Sequence, residues 1–205
     1  MTPRMFIVAG PPGAGKSTPF PVSGFGVDFF NADDRAAALN HGSYLNIPPA
    51  IRNEVNALFE SFVQDHINRR ASCAFETTLR SGITFDQAAS AKLAGFTTEM
   101  RYLALRNFAA HVERVQMRAD AGGHSAPESV LKSIYESSVR NLPRAIRQMD
   151  FVYVYDNSRW GITPTVLLQS EKAEIVYLAD DIPIWLEEAL EEESSRNPGV
   201  QSLTY

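Results

Sequence analysis

The sequence predicts one α/β domain: a doubly wound, mainly parallel sheet flanked by helices, with a small lid and a C-terminal hairpin and helix. Short apolar runs alternate with longer stretches in which apolar residues recur every three or four positions. The first run, Met5-Phe6-Ile7-Val8-Ala9, breaks directly into a Gly- and Pro-rich turn, as a buried strand of a parallel sheet does. At 205 residues the chain can bury a sizeable core but is too short for two ordinary domains. Residues 1–193 are read as the domain and 194–205 as a flexible tail.

The elements follow in order. A helix should open near Gly15, short or bent because Pro19 and Pro21 remove backbone donors from its second turn. Val27 to Asn31 reads as a second short strand and Ala32 to Ala38 as a helix. A long amphipathic helix carries Ile51, Val55, Leu58, Phe59, Phe62, Val63 and Ile67 on one face. Ala71 to Glu76 is a strand that ends on the polar Glu76-Thr77-Thr78, followed by a helix from Thr84 to Ala94 closed by Gly95. Then come a strand at Glu99 to Leu105, a helix at Phe108 to Ala119 and a Gly-rich connection through His124. A long helix opens after Pro127 and includes Pro143. Phe151 to Tyr155 is the next strand. Thr165 to Gln169 and Glu174 to Leu178 form a hairpin, and Ile182 to Glu193 an acidic helix.

Composition narrows the function classes. A hydrophobic share of 44% with 21% charged residues excludes a disordered or fibrous chain. The net charge is −5 and the basic residues are dispersed, which argues against general nucleic-acid binding, since that needs a basic stripe. The single cysteine, Cys73, excludes an intrachain disulfide framework and reads as a core filler. No apolar run is long enough to span a membrane, and a cytoplasmic location is expected.

Gly10-Pro11-Pro12-Gly13-Ala14-Gly15-Lys16-Ser17 matches the phosphate-loop pattern G-x-x-x-x-G-K-[ST] in full, with Thr18 next to it. The glycines let consecutive N–H groups turn inward around phosphates. Lys16 reaches the β and γ oxygens, and the Ser17 hydroxyl is the expected Mg²⁺ ligand. ATP or GTP with Mg²⁺ is the cofactor this motif takes. An Asn-Lys-x-Asp guanine-reading motif and a Leu-Ser-Gly-Gly transporter signature are both absent from the chain. Phosphoryl transfer to a diffusible acceptor is the reading that remains.

Such a reaction needs a base for the acceptor hydroxyl and cations for the moving phosphoryl group. Asp33, after the second strand, is the candidate base; Asp34 is its rival, and both could instead cap the next helix. Glu76, Thr77 and Thr78 fall at the carboxyl edge of the sheet, where ligands bind; they suit a polyhydroxylic acceptor or a magnesium-bound water, or else a helix cap. Arg114 and Arg118, four apart on one helix face, could clamp the γ-phosphate or pair with surface carboxylates. His124 is either a lid contact or an exposed loop residue.

These motifs together resemble the zeta toxin family of P-loop kinases, particularly its short single-domain branch. The matching stretches are Ala9 to Thr18, Asn31-Ala32-Asp33-Asp34, Phe75-Glu76-Thr77-Thr78-Leu79, Arg114 to Arg118 with Gly122-Gly123-His124, Asn141-Leu142-Pro143 and Tyr155-Asp156-Asn157-Ser158. The resemblance implies a kinase that transfers phosphate from ATP or GTP to a nucleotide-activated sugar, characteristically the 3′-hydroxyl of the amino sugar in UDP-N-acetylglucosamine. It implies Asp33 as catalytic base, Glu76 and Thr78 as acceptor-site residues, Arg114 and more weakly Arg118 as lid arginines, and an antitoxin protein as partner. The chain departs from the family where Pro19-Phe20-Pro21 replaces a leucine-rich first helix, and at Ser137, where an arginine is frequent.

Overall fold

A computed structural model describes residues 2–120 and 126–196. Seven strands form one sheet in the order β2-β3-β1-β4-β5-β6-β7. The strands are β1 (Arg4–Ala9), β2 (Asp28–Phe30), β3 (Cys73–Thr77), β4 (Thr97–Ala104), β5 (Phe151–Asp156), β6 (Thr165–Glu171) and β7 (Glu174–Leu178). The first five are mutually parallel, and β6 and β7 add an antiparallel hairpin to the β5 edge. Six α-helices accompany them: α1 (Ala32–Leu39), α2 (Pro49–Arg69), α3 (Ile83–Leu93), α4 (Phe108–Asp120), α5 (Glu128–Gln148) and α6 (Ile184–Arg196). The expected mainly parallel α/β sheet with a terminal hairpin and helix is the observed one. No helix among the described residues is long and apolar enough to cross a membrane.

The strand order decides where the helices go. Parallel crossovers are right-handed, so connections that step across the sheet in one direction share a face, and a connection that steps the other way lies on the opposite face. The steps β2→β3, β3→β4 and β4→β5 all run the same way, and only β1→β2 runs back. Accordingly, alternate strand residues Met5, Ile7, Cys73, Phe75, Met100, Tyr102, Val152 and Val154 share one large core with Val63 of α2, Phe85 of α3, Leu142 of α5 and Trp185 of α6. The opposite face, presenting Val8, Ala74 and Leu103, is covered by the β1→β2 connection through Ala14, Phe20, Val22 and Phe25.

That connection is where the expected first helix is replaced. After the phosphate loop the chain makes one turn, with Phe20 N–H donating to the Lys16 carbonyl, and then a short 3₁₀ segment at Val22–Phe25. Pro19 and Pro21 are the residues whose N–H groups would have bonded the Gly15 and Ser17 carbonyls four positions back. Without those donors the helix stops after its first turn. Aromatic packing stands in for it: Phe20 meets Tyr155 and Phe25 meets Phe6, each at 4.8 Å between ring centroids.

Two smaller differences are local. α6 continues through Ser194 and Ser195 to Arg196, past the point where the flexible tail was expected to begin. Leu58, placed by its spacing on the buried face of α2, is 42% exposed, while Val55, Val63 and Ile67 are buried. Cys73 is a core residue as expected, and burial followed by the Asp28 charge pushes its thiol up to about 12.

Candidate active site

The phosphate loop sits at the carboxyl end of β1, between β3 and β4, and each neighbour braces it. Gly10 N–H donates to the Thr77 carbonyl of β3, 3.2 Å away. A β-carbon on Gly10 would lie 2.0 Å from the Leu103 carbonyl oxygen of β4, so this position can only be glycine. Asn157, just after β5, donates its Nδ2 to the Ala14 carbonyl at 2.8 Å. His111 of α4 reaches the Pro12 carbonyl at 2.8 Å through Nδ1.

With its carbonyls held by these partners, the loop keeps donors free. Among the described residues the N–H groups of Gly13, Gly15, Lys16 and Ser17 have no hydrogen-bond acceptor. Pro11 and Pro12 contribute no N–H. Lys16 is 8% exposed, and its Nζ donates to the Gly10 carbonyl at 3.1 Å. Unpaired N–H groups converging beside a buried ammonium make an anion cradle.

Glu76, at the end of β3, faces this cradle. One carboxylate oxygen lies 3.5 Å from Lys16 Nζ, and the other accepts the Ser17 hydroxyl at 3.1 Å. A hydroxyl and a carboxylate side by side at the mouth of an anion cradle fit a hard, oxygen-seeking cation such as Mg²⁺. Thr77 is used locally: its Oγ1 accepts Leu79 N–H, which helps hold Leu79 at φ +57°, and its carbonyl receives Gly10. The Thr78 hydroxyl is without a hydrogen bond among the described residues and is half-buried. Asn141 of α5 ties down this turn by donating to the Leu79 carbonyl.

Asp33 and Asp34 occupy the first turn of α1, and neither is its cap. Asn31 is the cap, its Oδ1 accepting the N–H groups of both. The two carboxylates differ in what holds them. Asp34 accepts the Tyr44 hydroxyl at 2.9 Å, a bond that raises the phenol's pKa, whereas the Asp33 carboxylate has no hydrogen bond or ion pair among the described residues. Strand order puts β3 between β2 and β1. β2, which leads into α1 and Asp33, is therefore separated from the phosphate-loop strand β1 by one strand, β3, the strand that carries Glu76 and Thr77.

From the other side, Arg114 of α4 approaches the loop: its Nη1 is 3.5 Å from where a β-carbon on Gly15 would sit, and its Nη2 donates to the Ser158 carbonyl at 3.0 Å. Burial is the main influence lowering its pKa. Arg118, one turn on, is exposed and has no ion pair or hydrogen bond among the described residues. The structure thus brings Lys16, Ser17, Glu76 and Arg114 together and leaves Arg118 outside. His124 lies outside the described residues.

Sequence reasoning missed His111. Leu105 N–H donates to its Nε2 at 3.0 Å, so Nδ1 carries the proton and donates to the Pro12 carbonyl. Burial lowers its pKa to about 4; the Pro12 bond opposes this, and the Lys16 and Arg114 charges add to it. The only signal in the chain was a histidine one turn before Val115 on the buried side of α4, with nothing to indicate a partner 99 positions away.

This latch predicts a pH effect. The His111 pKa falls from 6.5 in the unfolded chain to about 4 in the fold. Between those values the unfolded chain holds the extra proton, so the contribution to stability is complete above pH 6.5 and shrinks as pH falls towards 4, by about 3 kcal/mol in all. Urea unfolding between pH 7 and 4 should show this slope, and His111→Gln should flatten it.

No family model matches the sequence, and neither does any curated protein. The likeness is to solved structures. One is from the PezAT chromosomal toxin–antitoxin system of Streptococcus pneumoniae: TM-score 0.61, 14% identity, over 95% of this chain and 86% of that one. Another is from the AvrRxo1-ORF1:-ORF2 complex with ATP: TM-score 0.66, 16% identity, over all of this chain and 66% of that one, so this chain spans just under two thirds of its length. A chain of the Pnkp1/Rnl/Hen1 RNA repair complex aligns over 70% of this chain and 46% of its own, with TM-score 0.55 and 18% identity. At these identities the likeness is one of fold: this chain shares the mainly parallel α/β architecture of these structures.

Proposed function

We propose that the protein is a phosphotransferase that moves the γ-phosphoryl group of ATP or GTP to a hydroxyl of a small acceptor, with a nucleotide-activated sugar such as UDP-N-acetylglucosamine as the favoured acceptor. The observation that carries this reading is the cradle of four unpaired N–H groups around buried Lys16, with Glu76 and Ser17 at its mouth. The complexes with ATP and with toxin–antitoxin systems among the similar structures support the nucleotide and suggest an antitoxin partner.

Each residue has a chemical task. Gly13, Gly15, Lys16 and Ser17 donate N–H groups to the β- and γ-phosphates, and the Lys16 ammonium turns from the Gly10 carbonyl to the β- and γ-phosphate oxygens. Ser17 and Glu76 would hold Mg²⁺, which supplies charge neutralisation on the phosphates. Thr78, two residues beyond Glu76 and with its hydroxyl unpaired among the described residues, orients the acceptor. The Asp33 carboxylate accepts the proton from the acceptor hydroxyl as its oxygen bonds to the γ-phosphorus, and the bond to the β-phosphate oxygen breaks to release the nucleoside diphosphate. Arg114 balances the charge gathering on the transferred group, a positioned cation of the kind that contributes most to such reactions.

Mass spectrometry of a mixture with ATP, Mg²⁺ and UDP-N-acetylglucosamine should reveal a phosphorylated sugar nucleotide. A panel of free sugars and aminoglycosides with coupled detection of ADP tests the broader kinase reading. A second reading, a nucleotide-binding regulatory module with poor turnover, is favoured by the missing first helix, whose dipole would otherwise assist phosphate binding. It predicts nucleotide binding that no acceptor accelerates.

A further inference from the structure

Beside the cradle, the chain presents an aromatic surface that phosphate chemistry leaves unused. Trp160 follows β5 and is 69% exposed, a large cost for the biggest apolar side chain. Its ring lies under the Arg114 guanidinium, 4.4 Å from the ring centroid to Cζ. Ile162, two residues on and 58% exposed, and Gly161 complete a short projecting turn. The root of this turn is fixed. Asn157 bonds Ala14 of the phosphate loop, the Ser158 hydroxyl and N–H both bond Asp156, and Arg106 bonds Asp156 and Asp181.

We propose that Trp160, backed by Arg114, is the stacking platform for the purine base of the bound nucleotide. The inference rests on the nucleotide-dependent reading above. Three features carry it. Arg114 lies over the indole and its Nη1 is 3.5 Å from where a β-carbon on Gly15 would sit, so one guanidinium stands beside both the phosphate loop and the proposed site of the base. A guanidinium on one face polarises and steadies the ring and leaves the remaining surface for a flat partner. The anchored root lets the platform exist before ligand arrives, so little ordering is required on binding. Stacking is tolerant of base identity, which fits a site that takes ATP and GTP alike and favours either over a pyrimidine of smaller area. The other tryptophan, Trp185, is buried with its indole N–H bonded to the Leu105 carbonyl, so Trp160 is the tryptophan a ligand can reach.

Isothermal titration of ATP and of inorganic tripolyphosphate against the wild type, Trp160→Ala and Trp160→Phe separates base from phosphate recognition. Trp160→Ala should weaken ATP about 10-fold or more while changing tripolyphosphate less than about twofold, and Trp160→Phe should stay within about threefold of wild type for both. In the wild type, ATP should quench tryptophan emission and tripolyphosphate should not. Equal losses for the two ligands in Trp160→Ala, or no loss for either, would overturn the platform while leaving the phosphoryl-transfer reading intact. Failure of the wild type to bind either ligand would overturn both.

Discussion

Replacing Asp33 by alanine is expected to lower acceptor phosphorylation by about 10²–10⁴-fold, the range a positioned general base supplies, while Asp34→Ala stays within a few-fold of wild type. The two residues are adjacent, both exposed, both in the first turn of α1 and both indifferent to the core. What separates them is occupation. Asp34 is engaged by the Tyr44 hydroxyl, whereas the Asp33 carboxylate has no hydrogen bond or ion pair among the described residues. Because Asn31 provides the cap, neither substitution removes one; each loses a carboxylate near a helix N-terminus, worth about 0.3–1 kcal/mol. Initial rates with saturating ATP, Mg²⁺ and acceptor, alongside urea unfolding, distinguish chemistry from stability. Wild-type turnover by Asp33→Ala would remove it from the mechanism, and an inactive Asp34→Ala would exchange the two roles.

What could be read in the sequence was what is local. The phosphate loop is a contiguous motif after a buried strand, and both were legible at once. Strand and helix positions followed from spacing, because in a parallel sheet each strand is a short apolar run and each crossover helix shows its buried face every three or four residues. The prolines at 19 and 21 announced trouble in the first helix, but spacing could not say that the helix would be lost after one turn and its place taken by Phe20, Val22 and Phe25. That depended on the fold offering aromatic partners, Phe6 and Tyr155, on strands far apart in sequence.

The long-range contacts of the site were invisible for the same reason. Glu76 was legible as a polar residue at a strand end, but its contact with Ser17 and Lys16 arises only because β1 and β3 are neighbours in register. That geometry places Glu76 beside Ser17 and Lys16, whereas the Thr78 hydroxyl has no hydrogen bond among the described residues. Arg114 and Arg118 looked equivalent on the helix face; Ser158 and the phosphate loop select Arg114. His111 carried no motif at all, and its role as a latch is created by Pro12 and Leu105.

Gly10→Ala is expected to be the most disruptive single substitution in the phosphate loop, costing about 4 kcal/mol or more of stability and abolishing measurable nucleotide binding. Its φ of +141° is strained for any residue with a β-carbon, yet strain alone accounts for only about 1–3 kcal/mol. The remainder comes from what the methyl group meets. The Leu103 carbonyl oxygen would be 2.0 Å away and its carbon 3.0 Å, and both belong to the backbone of β4. A flexible side chain could swing aside; a strand paired with β1 on one edge and β5 on the other cannot move without breaking ladder hydrogen bonds on both. Gly42→Ala is the control, since Gly42 also has a positive φ, +84°, but no atom lies within 4 Å of its would-be β-carbon. Urea unfolding should give that control a cost near the strain value alone. Similar midpoints for the two variants would mean that β4 yields to the methyl group and that the loop is less rigidly braced than its contacts require.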